Sequence, residues 1–273
     1  MIFNTPERVR ALTPLNPFPR SEDGRPRVPD ELLERVGAVT NEEAWGVFRE
    51  AGYHFQFEGN WRQIHPDVTL VGRAVTASFV PLRPDLQAVV EAEGERFQAP
   101  AKQNTWIIDQ LKPGDVLVVD LFGKIRNGTF VGDNLSTAVW SRTGTGLVID
   151  GGARDTLRIE EIEGISLFVR GVDPSAIAEV TLNGVNVPVR IGQATAMPGD
   201  VVLGTRQGVT FIPPHLVEEV VTHSEETRLR DVFGKLRISQ GRYTSGQIDR
   251  RDWAADIMED YGAWREERRT TSA

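Results

Sequence analysis

The sequence predicts an α/β fold, and three observations carry that prediction. Residues 116–120 (VLVVD), 147–150 (LVID) and 165–169 are short, continuous apolar runs of the kind found in strands buried on both faces. Helical text separates them at 133–143 and 156–163. Gly-rich and Pro-Gly-Asp joints punctuate this alternation, which describes a helix-covered sheet over roughly 60–222.

Each element has its own signal. Pro6, Pro14, Pro17, Pro19 and Pro26 stand among charged residues and predict an extended N-terminal arm. Pro29-Asp30-Glu31 opens a short helix through Leu32, Leu33 and Val36. Thr40 with Glu43 forms a capping box before a second helix carrying Ala44, Trp45, Val47, Phe48 and Ala51. Residues 68–80 are small and β-branched, a strand stopped by Pro81 and Pro84; 104–111 read as a helix ending before Pro113. Pro113-Gly114-Asp115 is the turn into VLVVD, and Pro198-Gly199-Asp200 reuses it before 201–203, with 208–212 as hairpin partner. Residues 186–191 read as one more strand.

Past Pro213-Pro214 a long helix is expected, with Leu216, Val217, Val220 and Val221 on one stripe and Leu229, Val232 and Phe233 extending it. Trp253, Ile257, Tyr261 and Trp264 form a second stripe that needs a partner surface, in the same subunit or a neighbour. The expected organisation is an N-terminal arm with helices over 1–60, an α/β core over 61–222 and a C-terminal helical extension over 223–273.

Composition removes whole classes of chemistry. With 273 residues and 40% hydrophobic content the chain can bury a sizeable core. A net charge of −8 argues against sequence-independent nucleic-acid binding, which needs clustered cations. No cysteine is present, so disulfides, thiolate nucleophiles and cysteine metal sites are excluded, and four histidines without HxH or HExxH spacing leave oxygen as the favoured metal donor. No apolar stretch approaches bilayer length, and the opening residues are broken by proline and charge, so a cytoplasmic protein with no membrane partner is expected. The four lysines offer few candidates for an imine mechanism; Lys124 is the best placed, and a loop cation is the plainer reading of it. No GxSxG, Walker loop or GxGxxG after a strand appears, and Gly144 and Gly146 precede a strand, the wrong context for phosphate binding.

Two strand-to-helix joints are the candidate sites, since open α/β sheets place ligands there. In Gly132-Asp133-Asn134-Leu135-Ser136 the free amides of a helix N-terminus, with the dipole behind them, suit a carboxylate or phosphate. The plainer reading is that Asp133 or Asn134 caps the helix. In Asp150-Gly151-Gly152-Ala153-Arg154-Asp155 the glycine pair is read as a sharp turn after the strand. Asp155 there can supply the single carboxylate through which Mg²⁺ is commonly held, and Arg154 a cation for a substrate oxygen gaining negative charge. The plainer reading is a capping Asp155 beside a solvated Arg154.

The run GDVLVVD, a loop containing Arg126, then GDNLSTA, GLVIDGGARD, NVPVRIG and PGDVVLGTRQGVTFIP together resemble the RraA-like family over about 68–222. That family includes the class II 4-hydroxy-4-methyl-2-oxoglutarate / 4-carboxy-4-hydroxy-2-oxoadipate aldolases and the proteins named regulator of ribonuclease activity A. The resemblance implies a swivelling β/β/α fold, assembled as a homotrimer or a dimer of trimers with sites between subunits. It implies Asp155 as ligand of Mg²⁺ or Mn²⁺, Arg154 stabilising an enolate, the 132–135 amides (Gly132, Asp133, Asn134 and Leu135) holding the substrate carboxylate, and Asp133 assisting through water. It further implies an acidic residue from the adjacent subunit's C-terminal helix, with Glu225 the first choice and Glu226 the second.

The expected activity is metal-dependent cleavage of a small 2-oxo acid: retro-aldol release of pyruvate, or decarboxylation of oxaloacetate. The alternatives are a sugar-acid dehydratase on the same site and a non-enzymatic ribonuclease regulator. The chain departs from compact family members in its N- and C-terminal additions, which carry Trp45, Trp61, Trp253 and Trp264. These aromatics are expected to serve oligomer contacts or to cover the site.

Overall fold

The computed structural model describes residues 3–96 and 102–271. In chain order the elements are α1 (Pro6–Leu12), α2 (Asp30–Val36), α3 (Asn41–Ala51), β1 (Phe57–Glu58), β2 (Arg62–Ile64), β3 (Leu70–Pro81), α4 (Pro84–Arg96) and α5 (Gln103–Ile108). There follow β4 (Asp115–Val131), α6 (Asp133–Thr143), β5 (Gly146–Ala153), α7 (Thr156–Ile159), β6 (Ser166–Val172), β7 (Val180–Val185), β8 (Val189–Ile191), β9 (Ala194–Ala196), β10 (Val201–Thr205) and β11 (Gly208–Ile212). A 3₁₀ turn at Pro214–Leu216 leads into α8 (Val217–Ser239), α9 (Ser245–Ile248) and α10 (Ala255–Thr271).

The main sheet runs β1-β11-β10-β3-β4-β5-β6-β2, with β7 on the far part of β3. Its centre, β3-β4-β5-β6, is parallel; the flanking pairs are antiparallel, and the 208–212 strand does pair with 201–205 as a hairpin. Side-chain alternation builds two cores on one sheet. Leu117, Val119, Leu147, Ile149, Leu167 and Val169 join Ile107, Ile108 and Val139 of α5 and α6 on one face. Val116, Val118, Val148 and Phe168 join the β8–β9 hairpin residues Val189, Ile191, Ala194 and Ala196 on the other. The result is a β/β/α arrangement, as expected, with α2, α3 and the start of α8 closing a third cluster on Val201, Leu203 and Ile212.

Several expectations change. The N-terminal segment contains helix α1, because Pro6 sits at the first helical position, where its missing N–H costs nothing, and Thr5 caps it. Pro84 likewise opens α4 instead of only ending a strand. The strand expected at 186–191 is confined to β8 at 189–191, and an unexpected strand, β7, precedes it, the two parted by a segment that includes Asn186 at φ 55°. Trp253 and Trp264 pack with Tyr261 around Phe233 inside the chain's own C-terminal helices, so the predicted stripe finds its partner there. Trp61 lies edge-on to Phe168 and 3.7 Å beneath the guanidinium of Arg170, which also pairs with Asp150 at 2.6 Å and Glu58 at 2.8 Å. Only Trp45 of the four stays half exposed.

Contacts divide the chain into two units, 1–221 and 222–273. In the second, Asp260 holds Arg237 through two bonds of 2.7 and 2.8 Å, and Glu226 accepts from the Tyr261 hydroxyl at 2.8 Å. Burial, with the Glu226 carboxylate adding to it, pushes the Tyr261 phenol up to about 12.

The two Pro-Gly-Asp turns share one construction and differ in charge balance. Gly114 and Gly199 both take positive φ, 77° and 84°, and each aspartate accepts the amide three residues back, Lys112 for Asp115 and Met197 for Asp200, both at 2.8 Å. Asp115 is neutralised by Arg25, a buried arm residue 2.8 and 3.2 Å away. Among the described residues no cation pairs with Asp200, and burial raises its pKa to about 7.

A carboxyl that binds its proton more tightly folded than unfolded stabilises the fold at acid pH, and that stability is lost as pH rises from about 4 to about 7. The three-unit rise corresponds to a penalty on the order of 4 kcal/mol above pH 7. Urea unfolding of wild type and Asp200→Asn at pH 5 and pH 8 is expected to show the variant gaining stability relative to wild type at the higher pH. An unchanged difference between the two pH values would contradict it.

Candidate functional site

The site forms where β4 and β5 end side by side. β4 does not stop after VLVVD; it leaves the ladder at Asp120 and returns through 121–130, with three register shifts, until Val131 lies opposite Ala153. The Arg154 amide then donates to the Val131 carbonyl at 3.0 Å and ties the two strand ends together.

The glycine pair of DGGARD does not make the expected sharp turn. Gly151 and Gly152 lie inside β5, and they are bare because the 121–130 segment crosses over them. A Cβ at Gly151 would fall 2.8 Å from the Leu121 side chain, and one at Gly152 3.0 Å from the Ile125 carbonyl. The turn comes later, at Asp155 with φ 54° and ψ 30°, a left-handed conformation that costs a non-glycine residue about 1–3 kcal/mol.

That turn brings three predicted residues together. A Cβ on Gly132 would lie 2.5 Å from Asp155 Oδ2 and 3.2 Å from Arg154 Nε, so the glycine is a cradle for both side chains. Arg154 Nη1 stands 3.5 Å from Asp155 Oδ2, and the two side chains are 42% and 37% exposed, on an open shelf. Asp155 occupies the N-cap position of α7 but makes no capping bond, so its carboxylate is not consumed by the helix. The capping reading of Asp155 therefore fails.

The same holds at the other joint. Gly132, not Asp133 or Asn134, is the N-cap of α6, with no side-chain cap. Not all of the expected amides are free, for a local reason: Asn134 N–H donates to Asp133 Oδ1 at 2.8 Å, and Ser136 N–H makes the first helical bond to the Gly132 carbonyl at 3.0 Å. The amides of Asp133 and Leu135 remain to serve a ligand. The dipole of α6, eleven residues long, points its positive end at this spot.

Asn104, a buried polar residue near the site, escaped sequence reasoning. Asn104, on α5, donates to the Phe130 carbonyl at 2.8 Å and so braces the end of β4. Its Oδ1 and the Ser136 hydroxyl are buried without hydrogen-bond partners among the described residues. An Asn within a helical run carries no signal of such a role. Lys124 is paired with Glu179 at 3.2 Å, in keeping with a loop cation. Below the site, burial, then the neighbouring Asp150 charge, holds the Asp120 carboxyl above the usual range.

Glu225 and Glu226 both lie on α8 in the C-terminal unit; Glu226 is committed there to Tyr261 and to Arg265 at 3.0 Å. Among the described residues no group of three or more His, Asp or Glu side chains forms a metal cluster. Asp155 thus offers one carboxylate on an open surface, a donor set that fits a largely hydrated oxygen-seeking ion such as Mg²⁺ or Mn²⁺ and does not fit Zn²⁺. No described helix is long and apolar enough to cross a membrane.

The fold and the paired joints define an α/β protein with a helix N-terminus facing an Arg-Asp pair. The chain belongs to the RraA-like family: its family model, described as Aldolase/RraA, matches residues 30–211. It is 28% identical over 168 residues to a putative 4-hydroxy-4-methyl-2-oxoglutarate aldolase of Halalkalibacterium halodurans, covering 60% of this chain and 78% of that one. A 4-hydroxy-4-methyl-2-oxoglutarate aldolase of Thermus thermophilus is 28% identical over 107 residues, 39% of this chain and 64% of that one. In fold the chain is similar to Streptomyces coelicolor RraAS2, described as an unusual member of the RNase ES inhibitor RraA protein family, with TM-score 0.67 and 24% identity over 81% of this chain and 100% of that one.

Because the Ile125 carbonyl cannot yield easily, Gly152→Ala is expected to destabilise unit 1 by about 1–3 kcal/mol. It should also speed amide exchange across 121–130, read by hydrogen-exchange mass spectrometry. Gly144→Ala meets no atom within 4 Å, and any cost there reflects only its positive φ of 66°. Unaltered exchange in Gly152→Ala would show that the crossing does not depend on the bare glycine.

Proposed function

We propose that the protein is a carbon–carbon lyase acting on a small 2-oxo acid, most simply retro-aldol cleavage of a 4-hydroxy-2-oxo acid to release pyruvate. The observation that carries this reading is the Gly132 cradle, which sets the Asp155 carboxylate and the Arg154 guanidinium against the N-terminal end of α6. The aldolase-named relatives support it at modest identity.

The residues divide the work by charge. The amides of Asp133 and Leu135 bind the substrate carboxylate, helped by the helix dipole. Arg154 faces the 2-oxo oxygen. As the proton leaves the C4 hydroxyl, the C3–C4 bond breaks, its electron pair forms the enolate of pyruvate, and the new charge falls beside the guanidinium. Asp133, half buried with one oxygen held by the Asn134 amide, keeps a carboxylate oxygen for an ordered water that accepts the hydroxyl proton. Asp155 would hold Mg²⁺ or Mn²⁺, which when bound supplies Lewis-acid polarisation of the 2-oxo group. Protonation of the enolate at C3 completes pyruvate. In decarboxylation of oxaloacetate the same cation and amides serve the same enolate, with CO₂ leaving in place of the aldehyde or ketone fragment.

The shelf is open, and a homotrimer or dimer of trimers would close it, with Glu225 of an adjacent copy as the acid that orders water.

Pyruvate release from a panel of 4-hydroxy-2-oxo acids and oxaloacetate, followed by coupled lactate dehydrogenase, tests the proposal. Arg154→Ala and Asp155→Ala are each expected to lower kcat/KM at least 10³-fold with circular dichroism unchanged, a loss of about 4 kcal/mol or more of transition-state stabilisation. Gly132→Ala should lose most activity while staying folded, because the obstacle it meets is the end of the exposed Asp155 side chain. Full turnover in EDTA, or turnover unaffected in these variants, would contradict the assignment.

A further inference from the structure

A second cavity lies at the opposite end of the parallel strands, beside the Pro198-Gly199-Asp200 turn. Asp200 opens β10 opposite the start of β3, whereas the site above stands at the far ends of β4 and β5. The cavity has a volume of about 330 Å³. Its walls are mostly apolar, from Leu12, Leu15, Met197, Pro213 and Pro214, and its polar groups include Asp200, Tyr53 and His215. Among the described residues no lysine or arginine lines it.

We propose that this cavity binds a small organic cation, an aryl- or alkylammonium whose apolar body fills the walls and whose charge pairs with the Asp200 carboxylate. Asp115 and Asp200 sit in twin turns with the same backbone bond, but Asp115 meets a buried arginine while Asp200, 2% exposed, meets a cavity. An ammonium there does for Asp200 what Arg25 does for Asp115. A buried carboxylate without a cation is costly, so filling the position with positive charge is favourable in the way that filling it with an anion is not.

The other groups facing the cavity agree with this charge. The Tyr53 hydroxyl lies 3.1 Å from His215 Nε2, and burial holds the imidazole below the usual histidine value, so it is neutral at pH 7 and does not repel a cation. Burial raises the Asp200 pKa to about 7, and an ammonium ligand beside it would lower it again. The volume lies at the lower end of the range for small-molecule sites and suits a single ring with a short amine chain.

Phenethylammonium is the probe and 3-phenylpropionate its shape-matched anionic control, each titrated into the full chain by isothermal calorimetry at pH 8. Wild type is expected to bind the ammonium at least tenfold more tightly than the carboxylate. Asp200→Asn, which removes a buried charge and stays folded by circular dichroism, loses that preference, and Met197→Trp, which fills the cavity and leaves the charge, loses binding altogether. For wild type, affinity for the ammonium falls about tenfold at pH 6 as Asp200 takes up its proton, and Asp155→Ala binds as wild type does. Equal binding of both probes, equal binding by Asp200→Asn, or no binding of the ammonium at all would overturn the proposal.

Discussion

The hydrogen bond from the Arg154 amide to the Val131 carbonyl, 3.0 Å long, is the constraint on which the candidate site depends. It closes the β4–β5 ladder at its last rung, after β4 has left and rejoined the sheet through 121–130. With the two strand ends held there, Gly132 must start α6 directly beside the left-handed turn at Asp155. The absence of a side chain at Gly132 then becomes the room in which two charged groups sit. Helix dipole, guanidinium and carboxylate converge because the backbone leaves them no other place.

The opposite end of the sheet shows how one local device yields two electrostatic outcomes. Both Pro-Gly-Asp turns use a glycine at positive φ and an aspartate that accepts the amide three residues back. The N-terminal arm decides the difference. Arg25 reaches Asp115, and its neighbour Pro26 packs over Gly199, where a Cβ would come within 2.4 Å of it, so the arm covers the second turn without supplying a cation to it. The arm is thereby part of the fold and not an appendage: Arg25 is 3% exposed, and Val9 and Val28 are fully buried.

What could be read in advance was what chemistry writes locally. Continuous apolar runs gave the central strands, Thr40 with Glu43 gave α3, and GDNLS and GGARD pointed to Gly132, Arg154 and Asp155, which the structure does bring together. What was missed depends on neighbours distant in sequence. The bareness of Gly151 and Gly152 is set by a strand segment crossing them, and the Asn104 brace exists only because α5 passes the Phe130 carbonyl. The aromatic stripe of α10 was legible as needing a partner, but Phe233 as that partner was a tertiary fact.

The most direct test of the account is a titration of Mn²⁺ followed by electron paramagnetic resonance, in wild type and in Asp155→Asn, a nearly isosteric change that removes only the charge. One ion per chain is expected in wild type, with a spectrum altered by added pyruvate, and loss of that binding in the variant. Equal Mn²⁺ binding by both proteins would show that the ion, if it acts at all, is held somewhere other than beside Gly132.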